Sequence, residues 1–447
     1  MSKKVFIETY GCQMNVSDSE RMATILAKEG FQIVEDEREA DIVLLNTCSV
    51  REKAENKIYA RVGQIRRRRR NVILGISGCV AQLEGEELFD RFSGKNSIDF
   101  IIGTRATDRI AKVINSVIRE GKTKVIDNHE REDYPELSFD LNLSHSKCVA
   151  FLPIIEGCNK FCTYCIVPFS RGREVSFPPR LILQQARQLV SQNVKEIHLI
   201  GQNVNSYRPR EMQDLEKFKG ATPFSKLLRM VAELSGCERI KFTTSFPRDF
   251  HPDIVSAIEE YDNLCNWVHL PVQSGSDRVL KLMRRGHTKD AYMKRVERIK
   301  SSKKMIALTT DIIVGFPGET EQDFMQTVEL VEQCEFHHAY IFKYSPRPGT
   351  PAAEQMTDSV PPEEKTRRFL YLESIQKKIQ AKIWQSYVGS EKLVLVEGKS
   401  KKNPNQLTGH TTCNKVVNFE GDERLVGQIV KVKILEAKNN SFLGRLV

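Results

Sequence analysis

The sequence predicts an α/β protein in three parts: an N-terminal parallel-sheet α/β domain over residues 3–120, a central partial (β/α)6 barrel over 144–376, and a small antiparallel β-barrel over 377–447. Strand-like and helix-like stretches alternate through the first 120 residues, the pattern of a parallel sheet covered by helices. From Val149 the alternation recurs six times, fewer than the eight units of a closed barrel, so this barrel is expected to stay open on one side. Beyond about residue 390 the hydrophobic period changes from helical to alternating and the segments shorten.

In the first part Val5–Tyr10 reads as a strand, and Ser17–Glu29 as a helix capped by Ser17 or Asp18 and ended by Gly30. Asp41–Asn46 reads as the second strand, Val50–Arg67 as a helix and Asn71–Ile76 as the third strand. Glu86–Phe92, Asp99–Ile102 and Thr107–Glu120 continue the alternation. Cys12, Cys48 and Cys79 lie just past the first, second and third predicted strands. Carboxyl ends of neighbouring parallel strands open on one crevice, so three thiols far apart in sequence are expected to meet. Thiolates are soft ligands that suit zinc or iron–sulfur clusters. Arg66–Arg70 are five consecutive arginines. They suit either the negative end of a helix dipole or a phosphate contact.

Residues 121–147 are polar and aperiodic, with Pro135, and read as a connection. The central strands are expected at 149–155, 196–201, 239–245, 267–273, 306–315 and 338–345. Helices fall between them; Phe224, Leu227, Leu228, Val231 and Ala232 share one face at i, i+3, i+4 spacing. The first strand runs straight into Gly157–Cys165, where Cys158, Cys162 and Cys165 are spaced C-x3-C-x2-C. A structural zinc site is closed by four ligands, usually from paired C-x2-C knuckles. This loop offers three thiols and no His. Three thiolates on a four-iron cluster leave one iron open to a reactive ligand. The other strand ends carry Gly201-Gln202-Asn203, Ser245, Gln273, the stretch Asp311–Glu319 with Gly315, and Tyr344-Ser345. Gly315 and Gly318 also fit a tight turn before a helix. Cys148, Cys237, Cys265 and Cys334 are read as structural. His251, His269, His287, His337 and His338 show no ligand spacing and are read as core or surface.

Pro361–Gly389 reads mostly as a long charged helix. Lys392–Val396, Thr411–Phe419, Val426–Leu435 and Phe442–Val447 then read as strands. From Ala381 onward there are eleven Lys or Arg against six Asp or Glu, a local charge of +5. A basic, OB-like barrel is a platform for single-stranded or looped RNA.

The whole chain carries a net charge of +10, which points to a polyanionic partner, nucleic acid first. Its composition, 40% hydrophobic and 28% charged, is that of a soluble protein, and no apolar run reaches membrane-spanning length. Met1–Val5 leads directly into a strand without the apolar core of a signal peptide, so a cytoplasmic protein with no membrane partner is expected. In that compartment eleven cysteines are expected as ligands and free thiols rather than disulfides.

C-x3-C-x-aromatic-C, here Cys158, Cys162, Tyr164 and Cys165, resembles the signature of the radical S-adenosylmethionine (SAM) enzymes. The resemblance implies a [4Fe–4S] cluster whose open iron is chelated by SAM, and one-electron cleavage of SAM to a 5′-deoxyadenosyl radical. Tyr10–Asn15, Asn46–Arg51 and Gly78-Cys79 resemble the amino-terminal domain of the methylthiotransferases within that superfamily. This implies that Cys12, Cys48 and Cys79 hold an auxiliary [4Fe–4S] cluster that carries the sulfur to be inserted. Gly409–Phe419 resembles a TRAM domain, an RNA-binding module in which Cys413 is not a ligand. The resemblance further implies that Gly201, Gln202 and Asn203 meet the methionine part of SAM and that Gly315 lies along its adenine. Ser245, Gln273 and Tyr344 belong to the same rim. Tyr164 shields the adenine, covers the cluster or simply packs.

The residues around Cys12 favour the branch that acts on N6-isopentenyladenosine beside the tRNA anticodon. Other branches act on threonylcarbamoyl-adenosine or on a ribosomal-protein aspartate. An adenine C2–H is neither acidic nor electrophilic enough for acid–base chemistry, so a radical is required. SAM would serve twice, as methyl donor and as radical source. The two open irons are expected to face one cavity, with the base extruded from its loop. The implied partners are a tRNA anticodon stem-loop carrying N6-isopentenyladenosine, a flavodoxin- or ferredoxin-like electron donor and a sulfur source, with the enzyme a monomer. A rival class is a non-catalytic iron–sulfur RNA-binding protein, which would normally ligate its clusters fully.

Overall fold

The computed structural model describes residues 2–49, 52–121, 125–127 and 139–447. The chain forms two compact units, one of residues 1–145, 151–159 and 166–177, the other of residues 146–150, 160–165 and 178–447.

The first unit is built on six strands: β1 (Lys4–Thr9), β2 (Gln32–Ile33), β3 (Ile42–Thr47), β4 (Ile73–Gly78), β5 (Phe100–Ile102) and β6 (Val125–Asp127). They run in the order β2-β1-β3-β4-β5-β6, every pair parallel. Helices α1 (Gln13–Lys28), α2 (Glu52–Arg68), α3 (Cys79–Glu84), α4 (Glu87–Arg91) and α5 (Ile110–Glu120) fill the crossovers. Alternate strand residues feed two cores. Val43, Leu45, Leu74, Ile76 and Ile101 pack with α2, α3 and α4. Val5, Ile42, Leu44, Phe100 and Ile102 pack with α1 and α5. Burial on both faces explains why β3 reads as an unbroken apolar run.

Two strands of this sheet escape the periodicity, β2 with two residues and β6 with three, and β6 falls in the stretch read as a connection. Cys48 and Cys79 therefore follow the third and fourth strands, not the second and third. Helix α1 begins four residues before the expected Ser17, because Cys12 is its N-cap and Asn15 reaches back to the Cys12 amide at 3.4 Å. The arginine run divides. Arg66 is buried, paired with Asp99 at 2.6 Å and donating to Ser97 O and Val72 O. Arg67, Arg68 and Arg70 are exposed. The run is thus neither a uniform solvated end nor a uniform phosphate site.

The central strands are β7 (Val149–Pro153), β10 (Glu196–Ile200), β11 (Arg239–Thr243), β12 (Trp267–His269), β13 (Ala307–Val314) and β14 (His338–Lys343); β8 (Ile155–Glu156) and β9 (Val175–Ser176) form a separate ribbon. The six lie in two three-stranded sheets, β11-β10-β7 and β12-β13-β14, with bridges Ile240–Leu264 and Gln273–Ile312 at the ends of β12. Between and after them run α6 (Val167–Arg171), α7 (Pro179–Ser191), α8 (Pro223–Ala232), α9 (Pro252–Glu260), α10 (Asp277–Leu282), α11 (Lys289–Lys300), α12 (Glu321–Cys334), α13 (Pro351–Gln355) and α14 (Pro362–Gln385).

Strands β15 (Glu391–Lys399), β16 (Gln406–Thr411), β17 (Val416–Glu420), β18 (Ile429–Ala437) and β19 (Phe442–Leu446) close a barrel in the order β15-β16-β17-β19-β18. The expected single strand at 411–419 is in fact a hairpin corner. Thr411 N donates to Lys415 O at 2.9 Å and Asn414 adopts a left-handed φ of 60°, which Asn tolerates. The barrel is antiparallel except at β17–β19, which pair in parallel. Its core of Val394, Val396, Val417, Phe419, Val432 and Phe442 continues into Trp267, Ala307 and Trp384. Among the described residues no helix is long and apolar enough to cross a membrane.

Candidate active site

In the first unit, Cys12 follows β1, Cys48 follows β3 and Cys79 opens α3 directly after β4. The strand order reverses between β1 and β3, the crevice where open α/β sheets place ligands. Two glycines let the loops approach. A Cβ on Gly11, at φ 151°, would sit 2.7 Å from Cys48 Cβ, and one on Gly78, at φ 90°, would sit 2.3 Å from Thr47 O. A buried amide interlock sets the register: Asn15 Nδ2 donates to Thr47 O at 3.0 Å, and Asn46 Nδ2 donates to Asn15 O and to Ser19 Oγ, both at 2.8 Å.

Cys12 is exposed, whereas Cys48 and Cys79 are buried. A hydrogen bond from Cys48 lowers the Cys12 thiol to about 6 against the opposing effect of desolvation, helped by the Arg171 charge and the backbone amides of Asn15 and Met14. Burial pushes Cys79 up, with Arg171 opposing. Arg171 on α6 is itself buried; it pairs with Asp18 of α1 at 2.6 Å and with Glu156 of β8 at 3.3 Å. Neither Arg171 nor Asp18 was legible as a site residue, since their meeting spans 153 positions.

The second triplet sits on one loop by covalent spacing. Gly157, at φ 78°, brings the chain against the Arg173 backbone, where a Cβ would lie 2.1 Å from the carbonyl oxygen, and Cys158 N donates to Gly172 O at 3.0 Å. In the other unit, Cys165 N donates to Cys162 O at 3.0 Å, and Phe161 takes a left-handed φ of 48°. Thr163 ties the loop to the end of α10 through Leu282 O at 2.9 Å and Met283 O at 3.1 Å. Tyr164 packs with Val279, Met283, Phe316 and Tyr344. Arg285, which no spacing had marked, lies buried with Nη1 3.5 Å from both Cys162 Sγ and Tyr164 Oη.

The expected strand-end residues carry a shared mark. Gln202 Oε1, Ser245 Oγ, Gln273 Oε1 and Tyr344 Oη are buried side-chain atoms with no hydrogen-bond partner, as is Thr244 Oγ1, which no motif marks. Buried polar atoms are nearly always bonded, so five orphans at the ends of β11, β12, β14 and the β10 loop fit a polar ligand. Gly201 and Asn203 are buried beside Gln202. Gly315, at φ 70°, donates its amide to Glu319 at 2.5 Å, and Glu319 is held by Arg368 at 2.8 Å. Gln273 also has a left-handed φ, 75°.

All eleven cysteines are thiols rather than disulfides. Among the described residues no three His, Cys, Asp or Glu side chains converge as ligands of a single ion. A four-iron cluster makes a different demand, because each thiolate binds a separate iron. Two all-thiol triplets, one on a loop and one at three strand ends, suit such clusters in donor chemistry. The remaining thiols, Cys148, Cys237, Cys265, Cys334 and Cys413, are buried; burial pushes up the first four.

Comparison with known proteins agrees. Residues 4–103 match the model described as Uncharacterized protein family UPF0004, residues 152–331 the Radical SAM superfamily, and residues 385–447 the TRAM domain. The solved radical S-adenosylmethionine methyltransferase TsrM from Kitasatospora setae, with tryptophan and a SAM analogue bound, superposes at TM-score 0.57 with 13% identity, over 79% of this chain and 75% of that one. This likeness shows a shared fold. Relatives named tRNA-2-methylthio-N(6)-dimethylallyladenosine synthase from Acidovorax sp. (strain JS42) and Geobacter sulfurreducens are 41% and 42% identical, each over 100% of this chain and 98% of its own length. One from Salmonella arizonae is 43% identical over 100% of this chain and 93% of its own length. With that identity along its entire length, the chain belongs to the family of the tRNA-2-methylthio-N(6)-dimethylallyladenosine synthases.

Proposed function

We propose that this chain is a radical SAM tRNA methylthiotransferase that places a methylthio group on C2 of N6-isopentenyladenosine beside the anticodon. The observation that carries the reading is the full-length identity of 41–43% to relatives of that name. When bound, two [4Fe–4S] clusters and SAM supply the radical, the sulfur and the methyl group. Cys158, Cys162 and Cys165 would hold the cluster that works with SAM, and Cys12, Cys48 and Cys79 the auxiliary one. Gln202, Ser245, Gln273 and Tyr344 would give SAM the polar contacts they lack here; Gly201 and Asn203 flank Gln202 and would meet the methionine part, and Gly315 would lie along the adenine. Tyr164, Phe316 and Tyr344 pack together with Val279 and Met283, an apolar cluster that would exclude water beside Cys162 and Cys165. The working division is 3–120 for sulfur delivery, 144–376 for radical chemistry and 377–447 for RNA binding.

The barrel at 391–446 exposes Lys401 and Lys402 between its first two strands, a positive charge suited to a tRNA backbone. An electron donor of the flavodoxin or ferredoxin type and a sulfur source complete the system, and the enzyme acts as a cytoplasmic monomer. The test is anaerobic reconstitution, followed by SAM, reductant, sulfide and an anticodon stem-loop carrying N6-isopentenyladenosine, read by nucleoside mass spectrometry. The 2-methylthio product on that loop, and none on a threonylcarbamoyl-adenosine loop, is expected. Product on the latter alone would move the chain to another branch.

A further inference from the structure

Arg285 is 5% exposed, and both terminal nitrogens of its guanidinium have partners. Nη2 donates to Pro271 O at 2.6 Å, Nη1 lies 3.5 Å from Cys162 Sγ and from Tyr164 Oη, and the Phe246 ring packs 4.4 Å from Cζ. Its Nε has no partner although buried. The segment that carries it also carries the Leu282 and Met283 carbonyls that hold Thr163, so the cation and the cysteine loop are braced on one another. A guanidinium stays protonated at any pH the protein survives. Among the described residues it pairs with no carboxylate: its partners are a carbonyl, a thiol, a phenol and an aromatic face. An unneutralised buried cation is penalised by desolvation and calls for an anion to offset it.

Resting on the reading that Cys158, Cys162 and Cys165 hold an iron–sulfur cluster, we propose that Arg285 is a positioning residue for that cluster. It donates an N–H···S bond to Cys162 and uses its fixed charge to favour one-electron reduction. A single electron arrives from a flavodoxin- or ferredoxin-like donor, the cluster charge becomes one unit more negative, and no proton moves. A cation held at a ligand sulfur inside low-dielectric protein stabilises the more negative state, and hydrogen bonds to sulfur act in the same direction. The Pro271 carbonyl fixes the guanidinium so that this field is present before the electron arrives.

The experiment is an EPR-monitored potentiometric titration of the full chain reconstituted anaerobically. A parallel series carries Cys12→Ala, Cys48→Ala and Cys79→Ala so that one cluster is read alone. Arg285→Met keeps volume and removes charge; it is expected to disfavour reduction at least tenfold, a fall of about 59 mV, with iron content unchanged. Arg285→Lys, which keeps charge but cannot span both Pro271 and Cys162, is expected to recover part of the loss. Arg285→Met with full iron and a wild-type potential would overturn the proposal, leaving Arg285 a loop brace. If that variant loses iron, the wild type itself decides. Resonance Raman bands of the Fe–S(Cys) stretch should shift after exchange into D2O, and bands that do not move would also overturn it. Absence of any cluster at this triplet in the wild type would instead sink the functional reading beneath it.

Discussion

The strand-end thiols and the loop thiols are brought into sets of three by opposite means. Cys158, Cys162 and Cys165 are neighbours because seven peptide bonds leave them no alternative. Cys12, Cys48 and Cys79 depend on three strands being adjacent in one sheet and on Gly11 and Gly78 letting their loops close. Their polar surroundings differ too. Arg171, beside the strand-end set, is neutralised by Asp18 and Glu156. Arg285, beside Cys162, meets no carboxylate among the described residues. A site encoded by spacing tolerates change in its scaffold, whereas a site assembled by topology is only as sound as the buried contacts that set the strands.

The sharpest division of the two sites comes from emptying each. Replacing Cys158, Cys162 and Cys165 by Ala should halve the iron of the reconstituted chain and abolish SAM cleavage. Replacing Cys12, Cys48 and Cys79 should halve the iron yet leave reductive SAM cleavage, with methylthio product lost. Retention of product by the second variant would break the comparison outright.

Next in size is Asn46→Ala. It leaves the Asn15 carbonyl and Ser19 without their shared donor inside the first unit, a cost of about 1–3 kcal/mol. Auxiliary iron should fall while iron at Cys158, Cys162 and Cys165 persists; equal loss from both would show that the strand-end site has no special dependence on this interlock.

The small barrel offers a contrast of the same kind, since it is tied to the central strands by buried charge. Glu196 pairs with Arg239 and Lys241 at 2.9 Å each, and Arg239 donates to the carbonyls of His410 and Thr411 at 2.9 Å. Burial alone would raise the Glu196 carboxyl, but Lys241, Arg239 and His198 lower it from 4.5 to about 2. A depressed carboxylate stabilises the fold fully above 4.5, and that contribution is lost as pH falls through about 2. Melting temperature should therefore drop more steeply between pH 5 and pH 2, on the order of that window, in wild type than in Glu196→Gln. Parallel profiles would remove Glu196 as a cause.

The smallest effect is kinetic. In the metal-free chain at neutral pH, iodoacetamide should label Cys12 before Cys48 or Cys79, because Cys12 alone of the three is exposed and its thiol is lowered to about 6. Peptide mapping after short exposure reads the order, and first labelling at Cys79 would contradict it.

Much of this was legible in the chain. Unbroken apolar runs such as Ile42–Leu45, helical spacing in Phe224–Ala232 and the Cys158–Cys165 motif are local patterns, fixed by side-chain period or covalent distance. The positions of Gln202, Ser245, Gln273 and Tyr344 at or just past strand ends were legible from the strand–helix alternation. What the sequence could not decide is whatever joins distant segments or occupies too few residues to show a period. The two-residue β2, the corner at Thr411–Lys415 that splits an apparent strand, and the start of α1 at Cys12 belong to that class. So do Arg171 and Arg285, whose partners lie up to 153 positions away. An arginine's meaning depends on whether it is buried and what it faces, and both are properties of the packed chain: Arg66 bonds Asp99 inside the core while Arg67 beside it is in water.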